Sequence, residues 1–290
     1  LMEMGLLSQD DWQPSQWIGA GDQAEAPYMR KEFSVGGKIK RARLYASGLG
    51  YADLFLNGKR LGGASERDPG YTNFDKRALY VAHDVTSELK GGANALGAVL
   101  GSGWYDVHDL ATWRFEKAPW RDRPKLRLML FIEYADGRTE TVASDSTWKT
   151  SSGPILFDGI YTGEVYDARK ELGVWSKAGY AEDGWKGVSV MAAPKGKLSG
   201  IQCPPVVIGE TIKAKSISEP KPGVYVVDFG QNIAGHARIR VKGPAGTKIT
   251  MRYSERLKEG MIQRSEIDVF MTKADPPQPF QTDVYICKGK

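Results

Sequence analysis

A period-two alternation of apolar and polar side chains runs through much of this chain, and it constrains the fold more than any other feature. Between residues 125 and 145 the apolar side chains at every second position are Leu126, Leu128, Leu130 and Ile132. Successive side chains of a strand point to opposite faces of a sheet, so these four are predicted to face one hydrophobic core. The pair Asp136-Gly137 that follows predicts a hairpin turn into a second strand.

The same alternation recurs earlier in the chain. It is present in PYMRKEFSV (27–35) and in KIKRARLYASG (38–48). Between LFL and KRL, Asn57-Gly58 predicts a type I′ hairpin turn, because both residues tolerate the positive φ that this turn requires. Few apolar stripes have helical spacing, whereas 34 glycines, 13 tyrosines and 8 tryptophans suit strands and turns. We therefore predict an all-β fold of two antiparallel, jelly-roll-like β-sandwich domains.

The length of 290 residues suits two domains of common size. We predict a lead-in segment from a preceding domain at 1–25, a first sandwich at 26–174, a linker at 175–205 and a second sandwich at 206–290. The linker loses the alternation and is expected to be pinned by Trp175 and Trp185. The opening LMEMGLLSQDDW and the abrupt end at DVYICKGK predict a piece of a longer protein, with its second sandwich incomplete at the C-terminus.

The charge and the cysteine content argue against several function classes. The net charge is +5, but the basic residues are spread over many strands, which favours a solvated positive surface over a nucleic-acid site. No apolar run reaches the roughly 18 residues of a membrane span, so none is predicted. Cys203 and Cys287 are too few for a disulfide framework. We expect two buried free thiols, with a single bridge as the alternative.

One long connection, GSGWYDVHDLATWRF at residues 101–115, lies between two predicted strands. Long connections without secondary structure are uncommon in compact domains and are often binding loops or disordered segments. A disordered segment would be poor in aromatic residues, and this one is rich in them. The composition therefore predicts a functional or packing role for this aromatic loop.

The usual catalytic signatures are missing. His83, His108 and His236 are scattered, so a histidine-built zinc site is not expected. No nucleophile elbow, Walker loop or dinucleotide fingerprint is present. These observations argue against acyl transfer and nucleotide chemistry.

Two carboxylate pairs remain for a glycosidase, which needs acids about 5 to 10 Å apart. They are Asp106 with Asp109, and Glu164 with Asp167. An odd separation places the second pair on opposite faces of a strand, so it is a poor acid and base couple. Asp167 instead shares a face with Arg169, and we predict a structural ion pair between them.

Three motifs are specific enough to point to a family: GWY at 103–105, GE-x-YDAR at 163–169 and DFGQN at 228–232. With the surrounding segments, and in the same order over nearly the whole chain, they resemble the amino-terminal half of bacterial α-L-rhamnosidases. Tyr71 and Phe74 depart from that pattern, since the family commonly has tryptophan and tyrosine there.

The resemblance implies a parent enzyme that is a multidomain inverting glycosidase removing terminal α-L-rhamnose. The family's catalytic acids lie in a separate (α/α) barrel that follows the β-domains, and no such segment is present here. We therefore expect a non-catalytic accessory fragment, with no catalytic residues, whose partners are a rhamnose-containing glycan and that catalytic domain. A periplasmic or secreted parent is favoured, and a cytoplasmic one is the alternative.

The aromatic loop supplies the candidate sugar site. A sugar ring needs an aromatic platform and a few orienting polar groups, and the predicted carbohydrate-binding residues are Trp104, Tyr105, Asp106, His108, Trp113 and Trp120. Some family members bind rhamnose through calcium, which would need oxygen ligands such as Asp106 or Asp109; otherwise no cofactor is expected. The alternative is that Trp104 and Tyr105 only pack, against the sandwich or against the barrel.

The other motifs are predicted to be structural. Their residues are Glu164, Tyr166, Asp167, Arg169, Asp228, Gln231 and Asn232. Glu164 and Arg169 are expected to pair with the backbone or with neighbouring charges, and Gln231 and Asn232 to satisfy backbone groups near a glycine bend. The loop PWRDRPK (119–125) combines aromatic and basic side chains and is a remote nucleic-acid alternative.

Overall fold

The computed structural model describes residues 5–21, 25–63, 65–66, 69–107, 113–264 and 280–289. In these ranges the chain forms 23 strands and three single-turn 3-10 helices, and no α-helix. The predicted all-β, antiparallel fold class is confirmed. Across the described ranges, no helix is long and apolar enough to span a membrane.

The longest strands, of eight to eleven residues, all lie before residue 135. In chain order they are β1 (Ile18–Gly19), β2 (Tyr28–Val35), β3 (Ile39–Leu49), β4 (Tyr51–Leu56), β5 (Lys59–Arg60), β6 (Ser65–Glu66), β7 (Arg77–Asp84), β8 (Gly92–Gly101), β9 (Lys125–Tyr134), β10 (Thr139–Ala143), β11 (Lys149–Ser151), β12 (Ile155–Gly159), β13 (Gly163–Asp167), β14 (Lys186–Gly187), β15 (Ser189–Val190), β16 (Lys197–Gly200), β17 (Val206–Val207), β18 (Ser216–Lys221), β19 (Val224–Asp228), β20 (Lys248–Arg252), β21 (Leu257–Lys258), β22 (Met261–Ile262) and β23 (Thr282–Ile286). The 3-10 helices are Asp10–Trp12, Phe115–Lys117 and Ala168–Lys170.

Two sheets form the first sandwich. One has the order β15-β1-β9-β3-β7-β16, with β10 added to β9, and the other has the order β14-β11-β2-β8-β4-β5. The pairs are antiparallel except for β16, which runs parallel to β7. Most neighbours in the sheets are distant in sequence, so the sandwich depends on long-range pairing.

The hydrophobic core lies between these two sheets. The four alternating residues of β9, Leu126, Leu128, Leu130 and Ile132, are fully buried. They belong to one cluster with Met29, Leu54 and Leu96 from the opposite sheet. The predicted inward face of β9 is confirmed.

The predicted hairpins are present. Asn57 and Gly58 have φ of 53° and 87°, and the flanking pair is Leu56 with Lys59, as a type I′ turn requires. The turn between β9 and β10 is longer, and of Asp136 and Gly137 only the glycine has a positive φ, of 86°.

The N-terminal segment packs on the outer face of β9. Trp12 is buried, and the Arg127 guanidinium lies 5.5 Å from its ring centroid. Arg127 Nε donates to Ser15 Oγ at 3.0 Å, and Ile18 pairs with Leu126. The stretch predicted as a lead-in from a preceding domain thus contributes a strand to the first sandwich.

The stretch predicted as a linker also pairs with the first sandwich. Its strands β14, β15 and β16 add to β11, β1 and β7 respectively. Strands of two to four residues are too short to show an alternation, so the sequence did not reveal them. Trp175 is buried and stacks on Trp185 with centroids 6.3 Å apart.

The expectation that both thiols are buried is wrong for one of them. Cys287 is buried, whereas Cys203 is exposed, and both are free. Cys203 lies in the irregular stretch between β16 and β17, where few neighbours cover it.

A small sheet joins the two halves of the chain. Its order is β12-β13-β23-β20, and β13 runs parallel to β23. The hairpin β18–β19 forms a separate two-stranded sheet. In the described residues of the predicted second sandwich, the chain forms its part of this small sheet and the hairpin β18–β19. The small sheet lies beside the aromatic loop.

Candidate functional site

The first part of the aromatic loop turns inward after β8. Tyr105 and Asp106 are only 2% and 1% exposed. The Tyr105 ring packs edge-on against Phe74 at 5.1 Å, and Lys125 Nζ lies 5.6 Å from its centroid. Burial raises the pKa of the Tyr105 hydroxyl. Both residues thus hold the loop on the sandwich rather than offering a surface to a ligand.

Asp106 is bound by two arginines of the neighbouring loop. Its Oδ1 lies 3.3 Å from Arg121 Nε, and its Oδ2 lies 3.2 Å from Arg123 Nη1. A carboxylate between two guanidinium groups does not suit a calcium ion, which needs oxygen ligands free of competing cations. The described residues contain no group of three or more His, Cys, Asp or Glu that could hold a metal. The pairing also engages both arginines of the loop suggested for nucleic acid.

Trp104 lies at the centre of an aromatic cluster. Its ring centroid is 5.8 Å from that of Tyr71, 5.1 Å from Phe115 and 5.6 Å from Tyr161. Trp120 is half-buried, and its Nε1 donates to the Trp104 carbonyl oxygen at 3.4 Å. The structure therefore brings two of the predicted platform residues together, and it joins them to a tyrosine in the turn between β12 and β13.

The remaining predicted sugar-binding residues lie apart. Trp113 is 74% exposed. His108 and Asp109 fall outside the described residues, so the predicted roles of both stay predictions.

A cavity of about 310 Å³ opens beside Trp104, and we call it the Trp104 cavity. Its walls come from the first sandwich and from the small sheet. The lining residues are Tyr51, Gly103, Trp104, Asp158, Gly159, Ile160, Gly163, Glu164 and Asp283. Asp158 and Asp283 were not predicted for this site, because they are distant in the chain from the aromatic loop.

Two of the three carboxylates in the Trp104 cavity are engaged by the protein. Asp158 accepts from Ser102 N at 2.6 Å and from Ser102 Oγ at 3.0 Å. Asp283 accepts from the backbone N of Glu164 at 2.8 Å and from Tyr253 Oη at 2.7 Å. These bonds fix the cavity wall across the junction of the two sheets.

The third carboxylate, Glu164, is different. No hydrogen bond or ion pair reaches its side chain from the described residues, so the predicted pairing partner is not found there. Part of the side chain keeps contact with solvent, but loss of water around the rest, together with the charges of Asp158 and Asp283, raises its pKa to about 7. Glu164 is therefore an uncommitted polar group in the Trp104 cavity.

Glycine is required at two points of the cavity wall. Gly163 has a φ of +110°, and a Cβ there would lie 2.4 Å from the Thr282 carbonyl oxygen. Gly103 has a φ of +48°, and a Cβ would lie 3.0 Å from the Tyr51 ring. Side chains at these positions would strain the backbone and displace the wall.

The predicted ion pair at the end of β13 is present. Arg169 Nε donates to Asp167 Oδ1 and Arg169 Nη2 donates to Asp167 Oδ2, each at 2.8 Å, in a bidentate arrangement. Hydrogen bonding from Arg169 lowers the pKa of Asp167 to about 2. Tyr166 stacks on Tyr285 at 5.8 Å, so this motif joins β13 to β23.

The DFGQN motif forms a turn at the end of β19. Asp228 Oδ1 accepts from Gly230 N at 2.7 Å, and Gly230 has a φ of +75°. Gln231 and Asn232 are exposed. In the described part of the chain, their side chains make none of the expected hydrogen bonds to the backbone, because Asp228 already caps the turn.

Sequence comparison assigns the family. A profile of the α-L-rhamnosidase N-terminal domain matches residues 37–210, more than half of the chain. The chain belongs to the α-L-rhamnosidase family. A profile of the bacterial α-L-rhamnosidase concanavalin-like domain matches residues 218–290.

Curated proteins named α-L-rhamnosidase are similar over nearly the whole chain. The Streptomyces avermitilis enzyme is 36% identical over 96% of this chain, and one from Formosa agariphila is 33% identical over 99%. The crystal structure of the S. avermitilis enzyme complexed with L-rhamnose covers 92% of this chain with a TM-score of 0.83 and 37% identity. The structure from Dictyoglumus thermophilum covers 99% with a TM-score of 0.87 and 35% identity.

This chain is much shorter than its rhamnosidase relatives. It spans 26% and 32% of the two curated enzymes, and 25% and 32% of the two solved chains. It therefore corresponds to an amino-terminal part of an α-L-rhamnosidase.

Two rhamnosidase motifs meet in the Trp104 cavity. Gly103 and Trp104 belong to GWY, and Gly163 and Glu164 begin GE-x-YDAR. They are about sixty residues apart in sequence, so their shared position in one wall follows from the fold alone.

Proposed function

We propose that this chain is a non-catalytic, rhamnose-binding part of an α-L-rhamnosidase that helps to position the substrate for a catalytic part elsewhere in the protein. Its membership of the family and its match to about a quarter to a third of the relatives' length support an accessory role. The relatives are named for α-L-rhamnosidase activity, and one was solved with L-rhamnose.

The chemistry of the Trp104 cavity carries this proposal. Trp104 and Ile160 offer apolar surface, and Glu164 offers an uncommitted polar group. No basic side chain is among the lining residues, so the cavity does not suit an anionic ligand. A 6-deoxyhexose has hydroxyls to bond a carboxyl group, and apolar C–H faces and a methyl group to contact the tryptophan and isoleucine.

The same carboxylates do not form a catalytic pair. A glycosidase needs two acids with matched roles on opposite sides of a bond. Asp158 and Asp283 already accept two hydrogen bonds each from Ser102, Tyr253 and the backbone. Glu164 alone is uncommitted, which suits binding rather than hydrolysis.

Tryptophan fluorescence during an L-rhamnose titration tests the proposal. Trp104→Ala should abolish the saturable change, whereas Trp113→Ala, at an exposed tryptophan that does not line the cavity, should retain the affinity. Calcium should leave the affinity unchanged, because Asp106 is held by Arg121 and Arg123. Absence of saturable binding, or unchanged binding in Trp104→Ala, would overturn the proposal.

A structural scaffold is the second candidate function, and the hairpin β18–β19 favours it. Ile217 and Tyr225 on this hairpin are 66% and 63% exposed, and Val227 is 44% exposed. Exposed apolar side chains clustered on one hairpin are typical of a surface that another part of a protein covers. In the parent protein, Ile217→Ser should then lower the temperature of inactivation without changing rhamnose affinity; an unchanged inactivation temperature would argue against the scaffold.

A further inference from the structure

A second cavity, of about 230 Å³, lies further along β13, and we call it the Tyr28 cavity. Three aromatic residues and one carboxylate dominate its lining. The lining residues are Tyr28, Pro154, Tyr166, Glu171, Leu172, Gly173 and Trp175. A space below the roughly 300 Å³ of a drug-sized site suits a single small ring.

The Tyr28 hydroxyl is an unused hydrogen-bonding group in this cavity. Tyr28 is 8% exposed, and its ring packs edge-on against Trp175 at 5.1 Å. No hydrogen bond reaches its hydroxyl from the described residues. Burial and the nearby carboxylates of Glu164 and Glu171 raise its pKa to about 12, so the hydroxyl stays protonated and can donate at neutral pH. The hydroxyl is therefore available to donate to a ligand oxygen in the cavity.

The other polar groups of the Tyr28 cavity are fixed in place. Tyr166 Oη donates to Glu171 Oε1 at 3.4 Å, and Lys288 Nζ donates to Glu171 Oε2. The cavity therefore combines aromatic faces, a held carboxylate and a free hydroxyl. This is the mixture of apolar surface and orienting groups that a sugar ring requires.

The two cavities lie on one face of β13. Glu164 lines the Trp104 cavity and Tyr166 lines the Tyr28 cavity. They are two residues apart on a regular strand, so their side chains point to the same side of the sheet, about 6 to 7 Å apart along the strand. The charge of Glu164 contributes to the raised pKa of Tyr28, as expected if the two cavities are neighbours.

We infer that the Tyr28 cavity is a second sugar subsite, adjoining the Trp104 cavity, so that the chain binds a rhamnose-containing di- or oligosaccharide along β13. This inference rests on the proposed rhamnose-binding function. It adds that the ligand is a glycan of at least two sugar residues.

Calorimetric titration of the chain with methyl α-L-rhamnoside and with an α-L-rhamnosyl disaccharide tests the inference. The disaccharide should bind more tightly, and Tyr28→Phe should weaken it by roughly two- to tenfold, the value of one hydrogen bond. The same variant should leave the monosaccharide affinity unchanged. Because the hydroxyl has no protein partner, its removal should not impair folding; Tyr225→Phe, at an exposed tyrosine, is the matched control.

The outcomes separate the inference from the function on which it rests. Equal affinity for the two ligands, or a Tyr28→Phe variant that binds both as the wild type does, would overturn the second subsite while leaving Trp104-dependent rhamnose binding intact. Equal weakening of both ligands by Tyr28→Phe would also overturn it, because Tyr28 would then act on the first site. Failure of both ligands to bind would overturn the inference and the proposed function together.

Discussion

Asp158 of the small sheet accepts two hydrogen bonds from Ser102 of the aromatic loop, from its backbone N at 2.6 Å and from its Oγ at 3.0 Å. Ser102 is 1% exposed and Asp158 is half-buried, so the donor side of these bonds is shielded from water. The contact joins the first sandwich to the hairpin that carries Glu164. These bonds therefore connect the two walls of the Trp104 cavity.

Asp158→Ala should loosen this junction. The substitution leaves the buried backbone N and hydroxyl of Ser102 without their acceptor, which should lower the free energy of unfolding by about 1–3 kcal/mol. Urea unfolding followed by tryptophan fluorescence measures the loss. Asp183→Ala, at an exposed aspartate without such contacts, is the control, and an equal effect of both variants would contradict the role of the Asp158 bond.

The core face of β9 should dominate the stability of the first sandwich. Leu128→Ala removes a fully buried side chain and should cost about 2–5 kcal/mol. Leu257→Ala is the same substitution at a side chain that is 51% exposed, and it should cost well under half as much. Urea midpoints compare the two, and similar losses would show that this core is not continuous.

Glu164 should make stability depend on pH. Its folded-state pKa of about 7 lies above the ordinary value of 4.5, so the folded chain holds a proton that the unfolded chain has released. The stabilisation is fully present below about pH 4.5 and is lost as the pH rises through 7. Thermal unfolding at several pH values should show this decline in the wild type and a smaller one in Glu164→Gln. Parallel profiles would contradict the raised pKa.

The chain should not hydrolyse rhamnosides by itself. Of the three carboxylates in the Trp104 cavity only Glu164 is uncommitted, so the acid and base couple of a glycosidase is not formed there. Incubation with an aryl α-L-rhamnoside should release no phenol above the buffer rate. Release that is lost in Glu164→Gln would show that the cavity is catalytic.

The sequence predicted the local features of the fold, and the structure shows why. Leu126, Leu128, Leu130 and Ile132 alternate because one face of β9 packs in the apolar core between the two sheets, and Asn57-Gly58 turns because both residues accept positive φ. The pairing of Lys197 in β16 with Arg77 in β7 could not be predicted, because a strand of four residues is too short to show an alternating pattern. Pairing between distant segments was therefore the part that pattern alone did not predict.

The same limit applied to the candidate site. The aromatic loop has an unusual composition, yet Tyr105 and Asp106 are buried, and among its described aromatic residues only Trp104 lines the cavity. Asp158 and Asp283 meet there through the sheet formed by β12, β13 and β23, which brings together residues more than a hundred positions apart. Their contribution depends on register, and a single sequence does not give the register of distant strands.

A crystal structure of this chain with L-rhamnose would test the central claim most directly. One sugar ring should occupy the Trp104 cavity, with the Trp104 ring on one side and a hydroxyl bonded to the Glu164 carboxyl group. A sugar bound at a different surface, or an empty Trp104 cavity at saturating rhamnose, would contradict it.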